Sequence, residues 1–162
     1  MENKQIYFFL DIDGVLATTY QFSSKKTHPV HNSYPFDVKC VKVFNEICEN
    51  INPIIILSSD WKYHYSIDQM NEIFEWNGIK TKITDFTSSS WGVKFTCLTQ
   101  LEECRAYEIL KYVNENQIQN YIAIDDLDLS EWIPDENFVI CKRIDEGIKQ
   151  SGVKEKILKR IK

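Results

Sequence analysis

The chain has 162 residues, 43% of them apolar and 13% aromatic, with a net charge of −5. That is enough for one domain with a sizeable core, read as residues 1–162, and no Pro/Gly/Ser-rich linker marks a second. The acidic balance argues against an extended nucleic-acid surface, which needs clustered Lys and Arg, though not against a ligand carrying a single phosphate. No run approaches the roughly 20 apolar residues of a membrane span and no signal pattern opens the sequence, so a cytoplasmic protein is expected. The five cysteines include no C-x-x-C pair, which speaks against a disulfide framework or a zinc knuckle.

Ile6–Leu10 is an unbroken apolar run of strand length, the pattern of a strand covered on both faces. Periodicity is then lost over residues 17–36, a loop or very small insertion. From Asp37, a suitable N-cap, Val38, Val41, Phe44, Ile47 and Cys48 keep helical spacing. Pro53 breaks that pattern ahead of "IIILSSDW", a second buried strand opening on small polar residues. Ser66 can cap a helix bearing Ile67, Met70, Ile73 and Phe74, with Asn77-Gly78 as its stop. A short strand is expected at Ile79–Ile83, a third helix through Leu101, Ile109 and Val113, a strand at Tyr121–Ile124, another at Phe138–Cys141, and a tail helix through Val153, Ile157 and Ile161. His28 and His31 fall in the aperiodic loop and read as surface residues.

Strand alternating with helix predicts a mainly parallel sheet with helices on both faces, a Rossmann-like three-layer α/β/α sandwich. Ligands of such sheets bind beyond the carboxyl ends of the strands. Three predicted strands deliver polar residues there: Asp11 and Asp13, Ser58 and Ser59, Asp125 and Asp126. The first of these, in "YFFLDIDGV", drives a buried strand straight into two like charges, which repel unless something positive lies between them. Carboxylates from two strand ends, with water and a phosphate oxygen, meet the octahedral all-oxygen demand of Mg2+. A calcium loop of EF-hand type is excluded, because Gly14 stands fourth from Asp11 and Phe22 twelfth.

The run "DIDGV", the hydroxyl-bearing strand end "IIILSSDW" and the doublet in "IAIDDLD" together resemble the motifs of the haloacid dehalogenase (HAD) superfamily of phosphotransferases. With "CRAYEILKYV" and "EGI", the sequence resembles more narrowly the small HAD domain of multidomain RNA-repair proteins and stand-alone chains. The resemblance implies a magnesium-dependent phosphomonoester hydrolase with residues 17–36 as a minimal cap. It implies Asp11 as nucleophile, Asp13 as general acid and base, and Ser59, with Ser58 open, as the hydroxyl holding a phosphoryl oxygen. Asp11, Asp13, Asp125 and Asp126 would make the metal site. The phosphate-neutralising cation would be Arg105, at the head of "RAYEIL", with Lys94 as the alternative. An uncapped site suits a nucleotide, a nucleic-acid end or another bulky phosphorylated substrate. Two other classes stay in view: a catalytically idle binding or regulatory domain of the same fold, and a phosphoacceptor signalling domain, which would place adjacent acids first rather than D-x-D.

Overall fold

The computed structural model describes residues 5–88 and 98–161. Five short strands, β1 (Tyr7–Leu10), β2 (Ile54–Leu57), β3 (Ile83–Phe86), β4 (Tyr121–Asp125) and β5 (Phe138–Ile140), alternate with α1 (Val38–Ile51), α2 (Ile67–Trp76), α3 (Leu98–Glu115) and α4 (Val153–Lys159). The strands pair in parallel in the order β3-β2-β1-β4-β5. This is the Rossmann-like α/β arrangement expected from the sequence. Residues 18–36 run as turns and bends without helix or strand.

Alternation along β1 sorts its residues between two cores. Phe8 and Leu10 face α1, α2 and α4, joining Phe44, Ile47, Phe74 and Ile157. Phe9 faces α3, where it meets Ile109 and Val113 and the edges of the Tyr112 and Tyr121 rings, both at 5.7 Å. Both sides of the strand are therefore dry, and fully burying each of Phe8, Phe9, Phe44 and Phe74 stabilises the fold by about 1.5–3 kcal/mol. The helix signals read from the sequence act as local chemistry. Asp37 accepts from the backbone N–H groups of Lys39 and Cys40, and Ser66 and Gln69 form a reciprocal capping box.

One element lies elsewhere than expected: β3 occupies Ile83–Phe86 rather than Ile79–Ile83. Ile79 instead follows the α2 terminus and donates its N–H to the Phe74 carbonyl at 2.9 Å. β3 is an edge strand carrying Thr84 and Asp85, so it lacks the apolar run by which the inner strands announce themselves. Its start is fixed by the Asn71 side chain, which accepts from the Ile83 N–H and donates to the Ile83 carbonyl.

Register sets up the site. Leu10 lies opposite Leu57 on one side and Ile124 on the other. The next residue of each strand, Asp11, Ser58 and Asp125, thus arrives level at the carboxyl edge, beside the point where the strand order reverses. The loop after β1 is buttressed from the far end of the chain: Val15's carbonyl accepts the Ile148 N–H at 2.9 Å, and Gly147 sits against it with φ +60°. A Cβ at Gly147 would collide with that carbonyl and crowd the Cys40 sulfur, whereas one at Gly78 (φ +79°) would meet nothing. Both positions carry the left-handed backbone penalty of about 1–2 kcal/mol for a side chain. Gly147→Ala should therefore lower the free energy of unfolding by clearly more than Gly78→Ala. Urea denaturation of the two variants checks this, and equal losses would contradict it.

Candidate active site

Asp11, Asp125 and Asp126 each offer an oxygen to one small volume, and these oxygens lie within 4.8 Å of one another. Asp11 and Asp125 are buried and Asp126 half-buried. Burial pushes the Asp125 carboxyl above its ordinary range against the pull of Arg105. Asp126 is raised by burial too, then by the charges of Asp11 and Asp125, and it shares a hydrogen bond with Asp11. Gly14, at φ +75°, makes this crowding possible, since a Cβ there would stand 2.6 Å from the Asp126 carboxyl. Hard oxygen donors from two strands, short of positive charge, are the chemistry that suits a divalent cation such as Mg2+.

Arg105 reaches the group from α3 and is itself buried, 6% exposed. Its Nη1 donates to Asp125 Oδ2 at 2.8 Å and lies 3.3 Å from Asp11 Oδ1, while Nη2 donates to Asp60 Oδ1 at 3.0 Å. Burial opposes its charge, but the carboxylates of Asp125, Asp11 and Asp60 more than restore it. One turn along α3, Glu108 takes the ammonium of Lys62, which also donates to Thr87 Oγ1 at 2.8 Å and to the Ser88 carbonyl at 3.0 Å. The short 3₁₀ turn Asp60–Tyr63 is thus held to α3 by two ion pairs of opposite sense. Burial lowers the Lys62 pKa even though Glu108 works to raise it.

Asp13 stands in different surroundings. The Tyr34 hydroxyl donates to its Oδ1 and the Trp61 indole N–H to its Oδ2, the latter at 3.1 Å. Burial raises its pKa, the two hydrogen bonds pull it down, and the negative charges of Asp11 and Asp60 raise it again, with a net upward shift. Ser58 and Ser59 are both buried at the end of β2. Ser58 Oγ is fully enclosed without a hydrogen-bond partner among the described residues, while Ser59 stands at the N-cap of the 3₁₀ turn. Lys94 lies outside the described residues.

Of the expected site residues, the structure brings Asp11, Asp125, Asp126 and Arg105 into one cluster, with Asp13 flanking it. Sequence reasoning missed Tyr34, Asp60, Lys62 and Glu108. Asp60 lies inside the quoted "IIILSSDW", Lys62 directly follows it, and Glu108 follows Arg105 at helical spacing, but no local pattern pairs that turn with a helix more than 40 residues on. Tyr34 lies in an aperiodic segment that offers no such spacing. The histidines are corrected too. His28 and His31 stack at 4.7 Å, with His28 edge-on to Trp76 and His31 Nε2 2.5 Å from Glu72. They pin the loop to α2, and His28 is buried rather than at the surface.

A family model described as the HAD domain in Swiss Army Knife RNA repair proteins matches residues 7–153. The chain belongs to this HAD family. No curated protein and no solved structure gives a match. Membership places it with the HAD-type hydrolases at the family level. Both acidic motifs of the HAD pattern fall at the β1 and β4 ends described above. No helix among the described residues is long and apolar enough to cross a membrane.

The crowded acids make stability depend on pH. Raised carboxyl pKa values mean that the folded HAD domain binds protons which the unfolded chain has already released. Stability therefore falls as pH rises above the ordinary carboxylate range of about 4. In chelator, the urea midpoint should be higher at pH 5.5 than at pH 8, and Asp126→Asn should flatten that slope. A slope unchanged in the variant would count against the reading.

Proposed function

We propose that the chain is a magnesium-dependent phosphomonoester hydrolase working through an aspartyl phosphate on Asp11. The observation that carries this is the convergence of Asp11, Asp125 and Asp126 within 4.8 Å, with Asp13 beside them in a separate, pKa-raising environment. Two neighbouring carboxyl groups whose surroundings differ in this way are suited to a nucleophile and an acid. Asp11, Asp125 and Asp126 would hold the metal, with the Asp13 backbone carbonyl as a further ligand. When bound, the ion screens the nucleophile from the phosphoryl charge.

A carboxylate oxygen of Asp11 attacks phosphorus, the bond to the leaving oxygen breaks, and Asp13 gives that oxygen its proton. Water then attacks the aspartyl phosphate, Asp13 takes the water's proton, and Asp11 is regenerated as inorganic phosphate departs. Arg105 keeps Asp11 oriented and offsets charge on the transferred group. A buried hydroxyl without a partner costs about 1–3 kcal/mol, and a phosphoryl oxygen would satisfy it. That supports Ser58 for the contact, with Ser59 shaping the turn that carries Asp60 and Trp61. Residues 17–36 act as a minimal cap on a single domain, which leaves room for a nucleotide, a nucleic-acid end or another bulky phosphomonoester.

Asp125→Asn should weaken magnesium binding more than Asp126→Asn, because Asp125 is the more deeply buried ligand. Calorimetric titration with Mg2+ measures this, and equal affinities in wild type and both variants would sink the metal assignment. Asp11→Asn should abolish release of phosphate from every substrate, with a loss no change of leaving group repairs. Asp13→Asn should release one burst of p-nitrophenol from p-nitrophenyl phosphate and then stall, since that leaving group needs little protonation while breakdown of the aspartyl phosphate needs the base. Rapid mixing reads the burst and mass spectrometry locates the phosphate. Label on a residue other than Asp11 overturns the mechanism.

A further inference from the structure

Beside Asp13 lies a recess of about 310 Å³. Its lining includes Asp13, Ser33, Tyr34, Asp60, Trp61 and Tyr65. Trp61 and Tyr65 stand 5.5 Å apart with their planes tilted by 41°, and Tyr34 meets Trp61 edge-on at 5.1 Å. Two of these rings are also the ones that bond Asp13, so the walls are fixed relative to the general acid. Ser33 is 3% exposed, yet its hydroxyl has no hydrogen-bond partner among the described residues. Asp60 uses one carboxylate oxygen on Arg105 and keeps acceptor capacity on the carboxylate as a whole.

We propose that this recess is the leaving-group subsite, that it holds the nucleoside of the substrate, and that the substrate class is nucleoside monophosphates. The proposal rests on the phosphatase reading, because Asp13 protonates the oxygen that joins phosphorus to whatever occupies the recess. The volume is at the low end for ligand pockets and suits one nucleoside. Aromatic walls stack a planar base, and the Ser33 hydroxyl with the Asp60 carboxylate can bond a heteroaromatic edge. A sugar phosphate would leave the rings unused. The ring of a phosphotyrosine, joined through its only polar atom, would leave Ser33 unpaired. The lining carries the carboxylates of Asp13 and Asp60, with His64 as its basic side chain and neither Lys nor Arg, so a second phosphate would meet more negative than positive charge. That disfavours nucleoside di- and triphosphates, and also strand ends, whose next phosphodiester follows closely.

The full chain with Mg2+ would be assayed for kcat/KM on 5′- and 3′-nucleoside monophosphates, ribose 5-phosphate, a nucleoside diphosphate, phosphotyrosine and a phosphate-terminated oligonucleotide. The monophosphates should exceed ribose 5-phosphate by about tenfold or more, the order expected of one stacked base, and should also exceed the diphosphate, whose second phosphate meets the recess carboxylates. Tyr65→Leu and Ser33→Ala should each cut the ratio of monophosphate to ribose 5-phosphate several-fold. A ratio unchanged in both variants, or a preference for phosphotyrosine or the oligonucleotide, overturns the proposal. Binding of adenosine, which carries no phosphate, separates the subsite from the catalysis. Adenosine should shift the Trp61 indole N–H resonance in the wild type and less in Ser33→Ala. A chain that shows this shift but hydrolyses nothing keeps the subsite and loses the phosphatase reading. No shift at millimolar adenosine rejects the subsite even if phosphate is released.

Discussion

Everything at the carboxyl edge of the sheet answers to one electrostatic problem: three carboxylates held within 4.8 Å of one another where water is largely excluded. Backbone register puts Asp11 and Asp125 level, so the repulsion cannot be relieved by sliding one strand past another. Arg105 offsets part of it, while Asp60 holds its other nitrogen. Asp60 in turn sits on a turn fixed by Lys62 and Glu108. The order of dependence runs from strand pairing to acids, from acids to guanidinium, and from guanidinium to a second, reversed ion pair on the same helix face. Each buried charge in the set is costly alone and tolerable in company.

Chemical division of labour follows from position relative to that cluster. Asp11 belongs to it and is paired with a cation. Asp13, two residues on and just ahead of the turn at Gly14, stands outside the cluster and lies against Tyr34 and Trp61. A single-residue spacer thus sends two identical side chains into environments that treat a proton differently. Because the same aromatic residues wall the adjoining recess, the placement of the acid and the shape of the space beside it are one packing decision.

The inner strands were legible because burial on both faces forces continuous apolar runs, and the acids were legible because they interrupt those runs at strand ends. Asp37 and Ser66 announced α1 and α2 for a similarly local reason, since the cap bonds lie within a few residues. β3 was misplaced because an edge strand with Thr84 and Asp85 needs no such run. Tyr34 and the histidine stack were hidden because they depend on where an aperiodic loop is carried by tertiary packing. The partner of Arg105 at Asp60 lay in plain view within a quoted motif, but nothing local says that a residue on one turn will face a helix so distant in sequence.

The central place of β1 has a consequence for the order of assembly during synthesis. The first of the five described strands to be made lies in the middle of the sheet, with β2 on one side and β4 on the other. β2 follows soon enough to cover one edge, but the other edge, from Tyr7 to Leu10, waits for residues 121–124. Until they emerge from the ribosome, a wholly apolar strand keeps a row of unpaired backbone groups, the kind of edge that invites association between chains. The same late event delivers Asp125, so while the residues between Asp11 and Asp125 are being added a nascent chain has the first acid and no second strand end to complete the centre.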